Sequence, residues 1–423
     1  MSRCRVPRDN SGWRTLEGVP ATLPDGEPAP RDGSLPEAAL YGLGSPPFGV
    51  YVHVPFCATR CGYCDFNTYT AGEIGSAASP ESWLEGLRQE LALAAKVLGT
   101  APPADTVFVG GGTPSLLGAQ GLAAVLDAVR ENFGLAAGAE VTTESNPEST
   151  SPAFFAGIRE AGYTRVSLGM QSAAPHVLRV LDRVHTPGRP VAAAQEARAA
   201  GFEHVNLDVI YGAPGERRED LRASLDAVIE AGADHVSAYA LIVEDGTAMA
   251  RKVRGGGLPA PDDDVLAADY ELIDDLLGSA GLGWYEVSNW ASSEPAQCRH
   301  NLGYWQGGDW WGAGPGAHSH VGGVRWWNVK HPARYGELLA AGESPAVGRE
   351  LLNEEQRYFE RVMLRLRLAS GLAVDALDAA GRSEAHAAAS DGLLDPVALR
   401  AGNAVLTDRG RLLADGVVRR LLA

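Results

Sequence analysis

Six short apolar runs, each followed by a stretch with helical periodicity, set the tightest limit on how this chain folds. The runs cover residues 50–54, 106–109, 141–144, 165–168, 204–210 and 235–241. Apolar residues spaced for one helix face predict helices over 82–98, 119–133, 152–161, 174–181 with 189–200, 217–231 and 261–279. Ser82 reads as the N-cap of the first, with Glu85 completing a capping box. Strands and helices in strict alternation call for an α/β fold with a parallel sheet and right-handed crossovers. Six units are two short of the eight that close a full barrel.

The loop after the first run carries the chemistry. Residues 51–67 read YVHVPFCATRCGYCDFN, with Cys57, Cys61 and Cys64 spaced C-x3-C-x2-C. Pro55 has no N–H for a ladder, so it ends the strand. The thiols then lie just past a strand's C-terminal end, where parallel α/β folds place their sites. Their loop setting predicts thiolates of low pKa. Several ligands suit three thiolates. Structural zinc wants four protein ligands, and His53 is the available fourth. An iron–sulfur cubane is usually held by four cysteines, so three leave one iron open to another molecule. Cys4 and Cys298 are isolated in sequence. An odd, clustered set without a signal core suggests a reducing compartment rather than disulfides.

Length and charge narrow the class further. At about 150 residues per domain, 423 residues suggest two or three domains. The net charge of −17 argues against nucleic-acid binding and against docking on an anionic membrane. No apolar run approaches the ~20 residues of a membrane span, and MSRCRVPRDNSGW has no apolar signal core. The expectation is a cytoplasmic protein with no nucleic-acid partner and no integral membrane segment. Residues 1–46, rich in Pro, Gly, Asp and Glu, read as a disordered extension. An ordered arm over the mouth of the site is the alternative.

The three cysteines, with an aromatic residue (Tyr63) before the last, resemble the signature of radical S-adenosylmethionine (SAM) proteins. In that family the open iron of a [4Fe–4S] cluster chelates SAM, and one electron from the cluster, which an electron donor supplies, cleaves the sulfonium to release a 5′-deoxyadenosyl radical. The wider match resembles the coproporphyrinogen III oxidase-like branch, and within it the HemW-type heme chaperones, over residues 48–423. The resemblance implies a partial (β/α)6 radical SAM barrel over 47–282. It further implies a Trp- and Gly-rich connecting segment over 283–349 and a C-terminal helical, winged-helix-like domain over 350–423.

It also assigns the polar residues at the strand ends. Gly110-Gly111-Gly112-Thr113-Pro114 follows the second strand and matches the family's GGGTP, the seat of the SAM amino group. Without the resemblance a glycine turn there is equally a structural device, and no Lys-Ser/Thr follows to make a phosphate loop. Glu144, in TTESNPE, matches E-x-N-P as the acceptor of the ribose hydroxyls. Gln171, Arg183, Asp208, Tyr51 and Tyr63 complete the implied SAM contacts.

Residues 284–331 hold seven of the nine tryptophans and four of the ten histidines. The stretch CRHNLGYWQGGDWWGAGPGAHSH suits neither helix nor strand periodicity, and its aromatics are equally suited to packing a core. By resemblance, His300, Tyr304 and Trp305 match HNxxYW, which implies heme binding: a neutral imidazole is a common axial ligand. The oxidases commonly carry a fourth cysteine, C-x3-C-x2-C-x-C, where this chain has Phe66. That difference favours a heme carrier that serves an acceptor protein over a coproporphyrinogen III decarboxylase. Near the C-terminus, Asn353 reads as the cap of a helix ending near Arg367, with another helix over 408–421. The acidic charge argues against a DNA-reading winged helix.

Overall fold

The computed structural model describes residues 26–75, 78–183 and 185–423. Its framework is a 12-stranded sheet. In chain order the strands are β1 (Phe48–Val54), β2 (Ala104–Gly111), β3 (Leu135–Ser145), β4 (Arg165–Gln171), β5 (His204–Tyr211), β6 (His235–Ala240), β7 (Gly283–Glu286), β8 (Asn289–Ala291), β9 (Asp309–Ala313), β10 (His318–Val321), β11 (Val324–Asn328) and β12 (Ala346–Leu351). Strands β1 to β6 run parallel and side by side, each joined to the next through helices. All six predicted strands are present, as are the six predicted helical regions between and after them.

Two-residue alternation within these strands separates an apolar outside from a polar inside. Val50, Val52 and Val54 on β1, Val107 and Val109 on β2, and Val205, Leu207 and Val209 on β5 are fully buried in the main core, packed under the helices. The opposite faces carry Tyr51 and His53, Thr106 and Phe108, Glu140, Thr142 and Glu144, Arg165 and Ser167, Asn206 and Asp208, and His235 and Ser237. An ordinary closed barrel fills its interior with branched apolar side chains. A polar interior of this kind suits a ligand.

The first predicted helix spans Pro80–Leu98, and its N-cap, Ser79, lies three residues before the expected one. Pro80 fits the first helical turn, and Ser79 and Ser82 cap each other, each hydroxyl accepting from the other's backbone N–H. Asn353 caps its helix as expected, accepting from Gln356 N at 2.9 Å.

The Trp-rich segment is more regular than its sequence suggests. Strand β8 pairs antiparallel with the free side of β6, and β7 pairs antiparallel with β8. Helix Arg299–Trp305 follows, and β9 then pairs parallel with β1 before β10, β11 and β12 extend that edge. The aromatic run conceals these strands because both faces are partly covered: Trp311 packs edge-on to Trp326 at 4.8 Å, and Trp290 is fully buried.

Residues 26–46, expected within a disordered extension, instead lie on the rest of the chain, the first of them at the β12 edge and Leu35, Leu40 and Leu43 against the main core. Glu27 bridges Arg349 through backbone and side chain, and Ser344 N donates to Arg31 O at 2.7 Å. Residues 1–25 lie outside the described residues.

Past residue 350 a second core forms, built from Val362, Leu366, Leu394, Val417, Val418 and Leu421 among others. Helices and a two-stranded ribbon, Leu372–Ala373 with Asn403–Ala404, make up this part. The expected final helix is two, Asp408–Leu412 and Ala414–Leu421, broken at Leu413. Among the described residues no helix is long and apolar enough to cross a membrane.

Candidate functional site

The cysteine loop leaves β1 at Pro55 and returns through Tyr69–Thr70, which pairs with Phe56–Cys57. All three thiols line one cavity of about 460 Å³ at the C-terminal ends of the parallel strands. Tyr63, Gly111, Gly112, Thr113, Glu144, Gln171, Arg183 and Asp208 line the same cavity. Eight of the nine residues expected to contact SAM are therefore gathered around the cysteines by six different segments. The ninth, Tyr51, faces a second, inner cavity described below.

Each group is held in place by identifiable contacts. The glycine segment runs beside the approach to Cys57: Gly112 N donates to Val54 O and Thr113 N to Phe56 O, both at 2.7 Å. A Cβ on Gly111 or Gly112 would run into His53 or the Phe56 carbonyl, so the close approach requires glycine. The Thr113 hydroxyl points at Cys57 Sγ from 3.7 Å, and Arg183 donates from Nη1 to Cys61 Sγ at 3.5 Å. Arg183 is itself fixed by Gly169 O and the His185 ring. Gln171 ends β4 with φ at 68°, a conformation that costs a non-glycine residue and is found where surrounding structure enforces it.

The electrostatics of the cavity are those of buried acids. Burial, and then the nearby Asp208 carboxylate, push Glu144 up to about 8. Its Oε2 accepts from Gly111 N at 3.0 Å. Burial also raises Asp208, against the donors Asn206 and Ser167. The expectation of low thiol pKa values is corrected in the same way. Burial raises Cys57, and raises Cys64 to about 11. A bound metal, which ionises a coordinating thiol outright, is what makes such groups thiolates.

The donor set fits an iron–sulfur cluster better than zinc. Cys57, Cys61 and Cys64 are free thiols, and Cys298 is buried far from them against Glu140. His53, the possible fourth zinc ligand, has both ring nitrogens engaged, by Tyr51 OH at 3.0 Å and Asn67 O at 2.9 Å. Burial holds it neutral, with its pKa lowered to about 4. Among the described residues no three His, Cys, Asp or Glu side chains are close enough together to hold one metal ion.

Below the cysteine cavity, and sharing Glu144, Ser167, Asp208 and Tyr239 with it, lies an inner chamber of about 130 Å³. Helix Arg299–Trp305 forms its floor. Glu140 accepts from the backbone N–H groups of Arg299 and His300 at the start of that helix. His300 is therefore inside the barrel. Its ring lies against Phe108 at 5.3 Å, with Nδ1 2.8 Å from Thr106 Oγ1 and Nε2 2.7 Å from Tyr304 OH. Burial alone lowers its pKa to about 3. Tyr304 is packed edge-on to Trp310, and Trp305 is half-buried. At about 130 Å³ the chamber is small beside the ~300–1,000 Å³ of ordinary ligand pockets.

Reading only the strand ends missed the chamber's other groups, among them Arg165, Asn206, His235 and Tyr239. The signal was in the runs themselves, where a polar residue recurs at every second position, as in HVNLDVIY and HVSAYA.

Comparison with known proteins places this geometry. Residues 51–228 match the Radical SAM superfamily. The chain is 62% identical over 376 residues to the heme chaperone HemW of Mycobacterium tuberculosis, covering 89% of this chain and 95% of that protein. It is 32% identical to the heme chaperone HemW of Lactococcus lactis, covering 78% of this chain and 84% of that one. Among solved structures, coproporphyrinogen III oxidase (HemN) from Escherichia coli superposes with a TM-score of 0.77 over 90% of this chain and 92% of that one. At 23% identity that likeness speaks for the fold.

Proposed function

The chain belongs to the HemW heme chaperone family of the radical SAM superfamily, and from that premise we propose that it binds heme together with a [4Fe–4S] cluster and SAM and passes the heme to an acceptor protein. The observation that carries the reading is the convergence of Cys57, Cys61 and Cys64 on one cavity with Glu144 and the glycine segment, above an inner chamber lined in part by His300, Tyr304 and Phe108. Cys57, Cys61 and Cys64 hold the cluster, which when bound supplies an electron that a donor protein must replace. Gly111, Gly112 and Thr113 receive the amino group of SAM, and Glu144 its ribose. Gln171, Arg183, Asp208, Tyr51 and Tyr63 complete the pocket. Phe66, 58% exposed on the same cavity, leaves no fourth thiol there.

For heme, His300, Tyr304 and Trp305 are the proposed contacts, and the fold sets a condition on them. Both imidazole nitrogens of His300 are already engaged, so helix Arg299–Trp305 must leave the barrel floor before iron can be ligated. The barrel over residues 47–282, the segment 283–349 and the domain over 350–423 are the proposed division of the chain, with a cytoplasmic setting that keeps the thiols reduced.

The test is anaerobic reconstitution of the full chain followed by heme titration and by product analysis with coproporphyrinogen III, SAM and a reductant. Stoichiometric heme uptake with no protoporphyrinogen IX supports the chaperone. Sustained decarboxylation without heme uptake refutes it in favour of the oxidase.

A further inference from the structure

The middle of the cysteine loop is gripped by contacts that ligand binding does not require. Gly62 lies between the second and third cysteines. Its N–H donates to Leu181 O at 3.0 Å, and its carbonyl accepts from Met249 N at 2.8 Å. One residue is thus held from two sides, by the turn after helix Pro175–Val180 and by the start of helix Ala248–Arg254. Its neighbour Tyr63 sits against a small core of Val177, Leu181, Ile210, Leu241 and Met249, separate from the main one.

Asp182 stands at the centre of this grip. A Cβ on Gly62 would collide with its carboxylate. Its Oδ2 accepts from Lys252 Nζ at 2.8 Å, which ties the turn to the second gripping helix. Asp182 has φ at 51°, and with Gln171 it is one of the two non-glycine residues at positive φ among the described residues. Both border the cysteine site. Strained backbone persists where neighbouring structure over-determines it, and it clusters at functional sites. The next residue, Arg183, is the one that reaches Cys61 Sγ.

We propose that Asp182 and Lys252 are positioning residues for the cluster, acting through Gly62. Their ion pair locks the 181–183 turn to helix Ala248–Arg254, and the two together keep the Cys61–Cys64 loop in its liganding shape when the cluster is absent or under attack. Both side chains are nearly half exposed, 45% for Lys252 and 41% for Asp182. An exposed pair of this kind adds little to global stability. Its removal therefore separates positioning from folding. The proposal rests on the cluster reading above.

The test uses the full chain, reconstituted anaerobically, as parent, Asp182→Asn, Lys252→Met, Lys252→Arg and Gly62→Ala. Asn tolerates the left-handed conformation at position 182. Asp182→Asn and Lys252→Met are expected to lose visible cluster absorbance to a chelator several-fold faster than the parent and to change the EPR line shape of the reduced cluster. Their apo melting temperatures should stay at the parent value, and Lys252→Arg should restore the slow loss. Gly62→Ala, which forces Asp182 aside, should show the largest change. A parent that takes up no iron overturns the cluster reading and this proposal with it. A parent that does, with Asp182→Asn and Lys252→Met matching it in rate and spectrum, overturns the positioning role alone.

Discussion

The hydroxyl of Tyr304 lies 2.7 Å from Nε2 of His300, four residues earlier on the same short helix, while Thr106 on β2 holds the other ring nitrogen. One nitrogen of a neutral imidazole donates and the other accepts, so this ring is saturated. The motif that suggests a heme ligand is thus, in this conformation, the floor of the barrel.

That arrangement gives the first prediction. If heme ligation uses His300, heme must open the floor, and amide exchange in residues 299–305 should speed up on heme addition while β1 to β6 stay protected. His300→Ala should weaken heme binding and also destabilise the chain by roughly 2–4 kcal/mol, through the cavity and the unpaired Thr106 and Tyr304 hydroxyls. Heme that binds equally well to His300→Ala, with residues 299–305 still protected, would place the iron ligand elsewhere.

The residues differ in how far sequence alone reveals them. Strands β1 to β6 were legible because each is a short β-rich run bounded by turn residues, and the sheet they form is parallel and covered. Cys57, Cys61 and Cys64 were legible because their spacing is local and lies on one loop. His300 was legible as a motif but not as a place. Its burial depends on Phe108, Thr106 and Glu140, which are about 160 to 190 residues away in the chain. The pairing of β9 with β1 is non-local in the same way, since 255 residues separate the ends of the Val54 and Asp309 strands. The Asp182 turn left no local sign at all, because its meaning lies in the collision it would have with a Gly62 side chain.

The second prediction concerns pH. Burial raises several carboxyls, among them Glu90, Glu216 and Glu286 to about 7 and Glu144 to about 8. Each folded pKa is above the unfolded value, so each contributes stability that is complete below about 4.5 and lost as pH rises through 7 to 8. Buried His53 and His300, lowered to about 4 and 3, act oppositely, but only below their unfolded value of 6.5. Between pH 6.5 and 8 the carboxyls dominate, and the melting temperature should fall. Glu90, which accepts from Tyr335 OH, Gly314 N and Asn328 Nδ2, offers the control. Glu90→Gln cannot ionise and should lessen the fall, though at a lower overall stability. A melting temperature that rises across this window would contradict the assignment.

The third prediction joins the same electrostatics to SAM. Burial and the facing Asp208 push Glu144 up to about 8, which favours its protonated form at neutral pH. A carboxylate that accepts two ribose hydroxyls must be ionised, so SAM binding at pH 7 should release a proton, and affinity should rise as pH rises toward 8. Calorimetry of the cluster-loaded chain in buffers of different ionisation enthalpy reads that proton directly. Glu144→Gln keeps the shape, loses the charge and forfeits a hydrogen bond to an ionised group, which is worth roughly 1.5–3 kcal/mol. It should bind SAM about 10- to 100-fold more weakly and show no proton release attributable to this site. Because Gly111 N donates to the same carboxylate, the variant also tests whether the glycine segment is positioned from β3. Unchanged affinity with undiminished proton release would move the ribose away from Glu144 and leave Asp208, its neighbour across the cavity, as the acid that titrates.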